Sequence, residues 1–95
     1  MRARKTDDNQ KSIVEVLRRA GVQVRVLSAV GSGMTDLLTC YRGVIRVVEI
    51  KNLDGRGRKL TDAQEKFRRT WPVIVVVDEV DALRAHGIEV HDASS

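Results

Sequence analysis

The stretch RGVIRVVEIKN, residues 42–52, is an apolar run that ends in an acid and a base, Glu49 and Lys51. In a β-strand successive side chains point to opposite faces, so Glu49 and Lys51 share one face while Ile50 points into a core. Charged side chains at the end of a buried strand are costly unless each has a partner or a bound ion. The stretch therefore predicts a strand whose end requires a third group, and Asp36 is the obvious candidate.

A second β-rich run, LLTCY at residues 37–41, precedes this strand, and Arg42 and Gly43 separate the two runs. A short turn that contains Gly between two such runs predicts a β-hairpin. If Tyr41 pairs with Val44, the chain places Asp36 opposite Glu49 at the open end of the hairpin. Two carboxylates and a lysine then meet at one end of a sheet.

The remaining elements are predicted from hydrophobic periodicity and from helix end signals. We expect a helix from Asp8 to the residue before Gly21, a half-buried strand at 22–28 and a helix from Thr61 that ends at Pro72. The apolar run at 73–77 is typical of a central strand covered on both faces. A third helix begins near Asp78, carries Val80, Leu83 and Ala85 and ends at Gly87, and residues 88–90 can add a short edge strand. The order αβββαβα predicts an α/β fold, a mixed sheet of about four strands flanked by helices.

The length and composition of the chain limit the number of domains, the compartment and the kind of partner that we expect. The 95 residues predict one domain, 1–95, with a flexible basic arm at 1–6 and a loose tail at 91–95. The single cysteine, Cys40, excludes an internal disulfide and a Cys-rich zinc site, and we expect its thiol to be buried in a reducing cytoplasm. We expect no export signal and no membrane span. The net charge of +4 suits a polyanionic partner.

The side chains of Asp36, Glu49 and Lys51 are of the types that a catalytic divalent-cation site requires. Mg²⁺ takes oxygen ligands, usually one or two carboxylates with water and substrate phosphate in the remaining positions. Asp36 and Glu49 supply the carboxylates, and the carbonyl of Ile50 is a possible third ligand. Lys51 can orient or deprotonate an attacking water and offset charge in the transition state. Together these groups describe metal-assisted hydrolysis of a phosphodiester bond.

Each part of this set has a simpler explanation when taken alone. Glu49 and Lys51 are most often a solvated pair at a strand end, and an Asp that follows a Gly-containing loop is most often a turn residue. Thr61 and Gln64 match a helix capping box, which explains Gln64 without a catalytic role. The coincidence of Asp36, Glu49 and Lys51 at one end of a hairpin is what favours a site.

The residues GMTDLL at 33–38, VEIK at 48–51 and LTDAQ at 60–64, followed by an apolar strand, resemble the PD-(D/E)XK nucleases. Within that superfamily they resemble the small VRR-NUC domains of phage and bacterial chains, and the likeness covers most of the sequence. Two departures are Thr35, where the motif has proline, and Gln10, where related enzymes often place a glutamate on the first helix.

The resemblance implies a restriction-endonuclease-like core and a Mg²⁺ or Mn²⁺ site at Asp36, Glu49 and the Ile50 carbonyl. It also implies Lys51 as catalytic base or stabiliser and Gln64 as an accessory residue of the active site. Stand-alone members look like Holliday-junction resolvases, so the resemblance implies DNA as substrate, branched or duplex, and a homodimer that cuts two strands. The expected location is the cytoplasm of a bacterium or of a phage-infected cell.

The DNA would be recognised by its shape and phosphates, since a chain with one Trp, one Tyr and one Phe lacks aromatic platforms for stacking bases. Candidate phosphate contacts are Ser32 in a Gly-containing turn and Arg56, Arg58 and Lys59 in a basic loop. Two other hypotheses compete with the nuclease: a DNA-binding module that keeps the fold and depends on a partner, and a basic α/β domain whose carboxylates are structural.

Overall fold

The computed structural model describes residues 6–31, 34–51 and 62–90, with their side chains except at positions 6, 7 and 64. The elements in chain order are α1 (Thr6–Arg19), β1 (Gln23–Val26), a 3₁₀ turn (Ser28–Val30), β2 (Leu37–Tyr41), β3 (Val44–Ile50), α2 (Asp62–Thr70), β4 (Val73–Val76) and α3 (Glu79–Ala85). The strands form one sheet in the order β1-β2-β3-β4, with β4 parallel to β3 and the other neighbours antiparallel. The α/β class with a mixed four-stranded sheet is confirmed.

Helix α1 ends as its sequence predicts, at Gly21. The Gly21 N–H donates to the carbonyl of Arg18 at 3.0 Å and the Val22 N–H to that of Leu17 at 2.9 Å. This is the Schellman pattern, which requires a left-handed residue, and Gly21 has φ +94°. Leu17 and Val22 are both buried, so the turn also directs the chain after α1 back towards the core.

The β2–β3 hairpin has the predicted register. Tyr41 pairs with Val44 and Leu37 with Val48, and the two turn residues Arg42 and Gly43 have φ of 51° and 79°. Positive φ at both central positions is the type I′ geometry, whose twist matches that of the flanking strands. The register continues one residue further, so that Asp36 stands opposite Glu49.

The core lies on the sheet face that α1 and α3 cover. Its largest apolar members, Ile13, Leu17, Leu37, Val48 and Val76, are fully buried. Ile50 also lies in the core, as the alternation along β3 predicts. The same alternation turns Glu49 to the opposite face, so the strand that completes the core also carries the candidate acid.

Helix α3 begins at its predicted cap, because the Asp78 carboxylate accepts from the Asp81 N–H at 2.8 Å. Its buried face was predicted correctly for Leu83 and Ala85, which pack against the core, and incorrectly for Val80. Val80 is 39% exposed, whereas Ala82 is fully buried in the core. Residues two apart in a helix do not face the same side, so the burial of Ala82 leaves Val80 towards solvent. Val26 is likewise 43% exposed, so the alternation predicted for β1 holds only for Val22 and Val24.

Three further predictions were wrong in part. Strand β4 lies at the sheet edge, with Val73, Ile74 and Val75 only half-buried, so its continuous apolar run does not mark a central strand. Residues 88–90 form no strand, because the Ile88 N–H donates to the Leu83 carbonyl and Ile88 packs on the core. Cys40 is half-buried, since it points away from the α1 face of the sheet.

Several predictions fall outside the described residues. These are most of the N-terminal arm, the C-terminal tail, the cap at Thr61 and the basic loop. In the part of the chain that is described, no helix has both the length and the apolar character to cross a membrane.

Candidate active site

Asp36 directly precedes β2, and hydrogen bonds connect it to the ends of β1 and β3, the two strands that flank β2. Its carbonyl accepts from the Leu27 N–H at 2.7 Å, just after β1, and its Oδ2 accepts from the Ile50 N–H at 2.8 Å, at the end of β3. A side chain anchored by a backbone amide has little rotational freedom. The carboxyl group is therefore fixed at the open end of the hairpin.

Glu49 is the buried acid of the site, with only 8% of its surface exposed. Burial and then the neighbouring Asp36 carboxylate raise the pKa of Glu49 from 4.5 to about 7. Burial disfavours the charged form, and a second negative charge at short range disfavours it further. The Asp36 N–H donates to Glu49 and Arg68 approaches it, and both of these lower its pKa. Repulsion and burial outweigh them, so Glu49 keeps its proton to a higher pH than an ordinary carboxyl group does.

Ile50 places backbone groups beside the two acids. Because its N–H donates to Asp36, the Ile50 peptide edge faces β2. In a strand the N–H and the carbonyl of one residue point to the same side, which puts the Ile50 carbonyl on the edge nearest Asp36. Oxygens of two kinds, from two carboxyl groups and one carbonyl, thus lie at this end of the sheet.

Lys51 directly follows β3, and its N–H donates to the carbonyl of Val76 at 2.9 Å. The ladder between β3 and β4 therefore continues to this residue, and the strand alternation puts Lys51 on the same face as Glu49. The side chain is half-buried. The shared face of Glu49 and Lys51 stays a prediction from this alternation.

The oxygen set at Asp36, Glu49 and Ile50 suits a hard divalent cation. Mg²⁺ is usually held by one or two carboxylates and keeps several waters, so two carboxylates suffice. A cation between two acids that repel each other would replace the proton of Glu49, so the raised pKa of Glu49 fits a cation site. Among the described side chains, no cluster of three or more His, Cys, Asp or Glu residues is arranged to hold a metal ion.

Other predicted site residues are not brought to this centre by the described part of the chain. Gln64 lies in α2, and its side chain is outside the described set. Ser32, Arg56, Arg58 and Lys59 fall outside the described ranges. Gln10, on α1, donates to Ser28 Oγ at 3.5 Å, next to the segment that carries Asp36, whereas Glu15 on the same helix is exposed.

Two residues near the site escaped prediction from the sequence. Arg68 on α2 acts on Glu49, and the signal available was its place one helical turn beyond the predicted capping box. Thr35 is 97% buried next to Asp36, and its hydroxyl has no hydrogen-bond partner among the described residues. No sequence pattern distinguishes such a threonine from an ordinary turn residue.

Comparison of the chain with protein-family models, with curated proteins and with solved structures gives no match. Membership of the PD-(D/E)XK superfamily therefore stays a prediction from the motif residues.

Proposed function

We propose that the chain is a metal-dependent DNA endonuclease that hydrolyses phosphodiester bonds. The observation that carries the proposal is the pairing of Asp36 with a buried Glu49 whose pKa rises to about 7. Two acids forced together in a partly desolvated place destabilise the fold unless a proton or a cation joins them. Such an arrangement is more typical of a functional site than of a structural one.

The fold supports the same proposal. A mixed four-stranded sheet with helices packed on it is what a restriction-endonuclease-like core would have, and the chain follows the order αβββαβα. Asp36 directly precedes β2 and Glu49 lies near the end of β3, and these positions support the motif resemblance. Neither feature alone would suffice, since α/β folds host many unrelated activities.

The two carboxyl groups and the Ile50 carbonyl would hold Mg²⁺ or Mn²⁺. When bound, such an ion polarises a phosphoryl oxygen and lowers the pKa of a coordinated water. Asp36 contributes rigidity, because one of its oxygens is already fixed by the Ile50 amide. Glu49 contributes a second carboxylate on the opposite strand, which becomes available once its proton leaves.

Lys51 contributes a positive charge on the same face as Glu49. An ammonium group there would orient the attacking water and stabilise negative charge that develops on the phosphate oxygens. Arg68 adds a second positive charge near the same acids. Both cations would bring the phosphate of the substrate towards the carboxylates and away from bulk water.

The substrate class we propose is branched DNA, such as a Holliday junction or a flap, and the active form a homodimer. The net charge of +4 suits a phosphate backbone. A chain with one site needs a second copy to cut two strands, and a dimer with two-fold symmetry matches a symmetric junction.

The test is cleavage of a labelled four-way junction and of a flap by the purified chain with Mn²⁺. Asp36→Asn and Lys51→Ala should abolish cutting without loss of the cooperative thermal transition, whereas the exposed Glu15→Gln should cut like the parent. Intact substrates under all these conditions would refute the enzyme. Metal-independent junction binding without cutting would favour a partner-dependent DNA-binding module instead.

A further inference from the structure

Phe67 on helix α2 and Trp71, which directly follows the helix, form an aromatic pair that the site does not use. The rings of Phe67 and Trp71 lie one helical turn apart, with centroids 5.3 Å apart and planes inclined by 4°. This is the offset-stacked geometry that aromatic pairs favour. Trp71 is nevertheless 53% exposed, because Phe67 covers one face of the indole and leaves the rest to solvent.

Hydrogen bonds hold the backbone of Trp71 on both sides. The Trp71 N–H donates to the Phe67 carbonyl at 2.8 Å, and the Trp71 carbonyl accepts from the Val73 N–H at 2.8 Å. The stack on Phe67 restricts the indole itself, so less entropy is lost when a second flat ring stacks on its open face. A single exposed apolar side chain does not by itself mark a binding surface, so the groups around the pair decide what it can bind.

The charges around the pair favour a polyanion. Lys66, Arg68 and Arg69 lie on α2, so basic residues alternate with Phe67 and Trp71 along this segment of the sequence. Glu65 offsets part of this charge, since its carboxylate lies 3.7 Å from Arg69. Aromatic rings interleaved with basic residues are the combination that binds single-stranded nucleic acid, in which bases stack on rings and cations follow the phosphates.

The pair also lies within reach of the carboxylates. Val75 pairs with Glu49 in the sheet, and Trp71 precedes Val75 by four residues. Four extended residues span at most about 14 Å, so the indole lies within a few nucleotides of Asp36 and Glu49 along an extended strand.

We propose that the open face of Trp71, supported by Phe67, stacks against an unpaired base of a DNA strand whose phosphates reach the Asp36–Glu49 carboxylates. The inference rests on the proposed function for its ligand, DNA. It adds a preference for unpaired bases beside the cut site, which junctions, flaps and single strands offer and an intact duplex does not. The chain has few aromatic residues, but Phe67 and Trp71 are placed where an unpaired base can stack on them.

Trp71 is the only tryptophan, so its emission reports on this position alone. Titration of the metal-free full chain with a short oligothymidine should quench that emission in a saturable way. Trp71→Ala should weaken binding of a labelled oligothymidine by about 5- to 150-fold, the effect of losing one stacked base. Trp71→Phe should retain most of the affinity, and thermal unfolding of each variant checks the fold.

An abasic strand of the same length is the matched ligand, because it keeps the phosphates and removes the bases. It should bind without quenching and without sensitivity to Trp71→Ala. The inference is overturned if oligothymidine leaves the emission unchanged and binds both proteins equally. It is also overturned if the emission shifts to the blue with protein concentration as the mass doubles, since a second copy would then cover the ring.

The two proposals can fail separately. Junction cleavage with Mn²⁺ but no quenching would remove the stacking role and leave the nuclease. Quenching by oligothymidine with no cleavage of any DNA would remove the nuclease and leave the stacking site. Absence of any DNA binding would overturn both.

Discussion

Two buried titratable clusters lie on the same hairpin, one on each face, and they differ in how their charges are balanced. Asp36 and Glu49 are two acids at the open end. Nearer the turn, His86 is 2% exposed, and its Nε2 lies 2.6 Å from Thr39 Oγ1 while its Nδ1 lies 2.7 Å from the Ala82 carbonyl. Each imidazole nitrogen therefore has a complementary hydrogen-bond partner, whereas each of the two carboxyl groups has an acidic neighbour of like charge.

The protonation of His86 follows from its partners. The Ala82 carbonyl can only accept, so Nδ1 carries the hydrogen and Nε2 accepts from the Thr39 hydroxyl. Burial lowers the pKa of His86 below its usual 6.5, and Arg46 lowers it further, although the bond to Ala82 opposes the shift. A neutral imidazole with a hydrogen bond at each nitrogen is accounted for by a structural role alone. An acid that is buried beside a second acid is not accounted for in this way, and this difference favours the Asp36–Glu49 cluster as the proposed functional site.

The largest expected effect is on activity. Glu49→Gln should reduce junction cleavage by on the order of 1,000-fold, since the loss of a charged metal ligand removes several kcal/mol of transition-state stabilisation. Its thermal stability at neutral pH should equal or exceed that of the parent, because the repulsion with Asp36 disappears. Cleavage rates and melting curves measured side by side check both. A variant that unfolds instead would make Glu49 a structural residue like His86.

The pH dependence of stability should show opposite trends for the two clusters. Glu49 has a folded pKa of about 7 against 4.5 in the unfolded chain, so its contribution is fully present below 4.5 and is lost as the pH rises through 7. The loss amounts to about 3 kcal/mol at most. His86 has a lowered pKa, so its contribution is present above 6.5 and is lost as the pH falls.

Urea unfolding of the parent and of Glu49→Gln without metal, from below pH 4.5 to above pH 7, separates these trends. The difference between the two proteins should grow with pH and level off above 7. A constant difference would contradict the raised pKa of Glu49.

A smaller effect is expected from Thr39→Val, which conserves shape and removes the hydroxyl that donates to His86. The buried Nε2 would then lack a donor, at a cost of about 1–3 kcal/mol in the free energy of unfolding. Thr70→Val is the matched control, because its hydroxyl bonds to the Lys66 carbonyl on an exposed surface and its loss should change little. Equal effects of the two substitutions would show that the His86 cluster is not a closed structural unit.

The smallest effect concerns Arg68→Gln. Removal of this cation should raise the pKa of Glu49 above that of the parent, since Arg68 lowers it. The adjacent Arg69→Gln is the control, because Arg69 is exposed and engages Glu65 instead. Carbon-13 titration of the Glu49 carboxyl measures both variants, and a shift in the Arg69 variant alone would reverse the roles assigned to the two arginines.

Prediction from the sequence succeeded where the signal is local. Gly21, the Arg42–Gly43 turn and Asp78 each specify a backbone conformation within a few residues, and each ends or begins an element as predicted. The register of the hairpin follows from its turn, and the position of Asp36 opposite Glu49 follows from the register. The pairing at the candidate site was therefore accessible without tertiary information.

Prediction failed where packing between distant segments decides. Val80 fits the helical apolar pattern as well as Ala82 does, yet the side of α3 that packs on the core is the one that carries Ala82. The apolar run of β4 predicted a central strand, although the order of strands in the sheet is a property of the whole chain. Neither failure affects the open end of the hairpin.

By itself the sequence determined the α/β class, the helix ends, the hairpin and the presence of two acids and a lysine at one strand end. Each of these depends on backbone preferences or on alternation, which act over a few residues. Only the tertiary structure decided that Glu49 is buried and that the charge of Arg68 acts on it. It also decided that Thr39 forms a hydrogen bond with His86, 47 residues away, and that Trp71 stacks on Phe67 while it stays exposed. Burial and electrostatic environment are sums over groups that the fold assembles from distant parts of the chain, so they do not exist until it has folded.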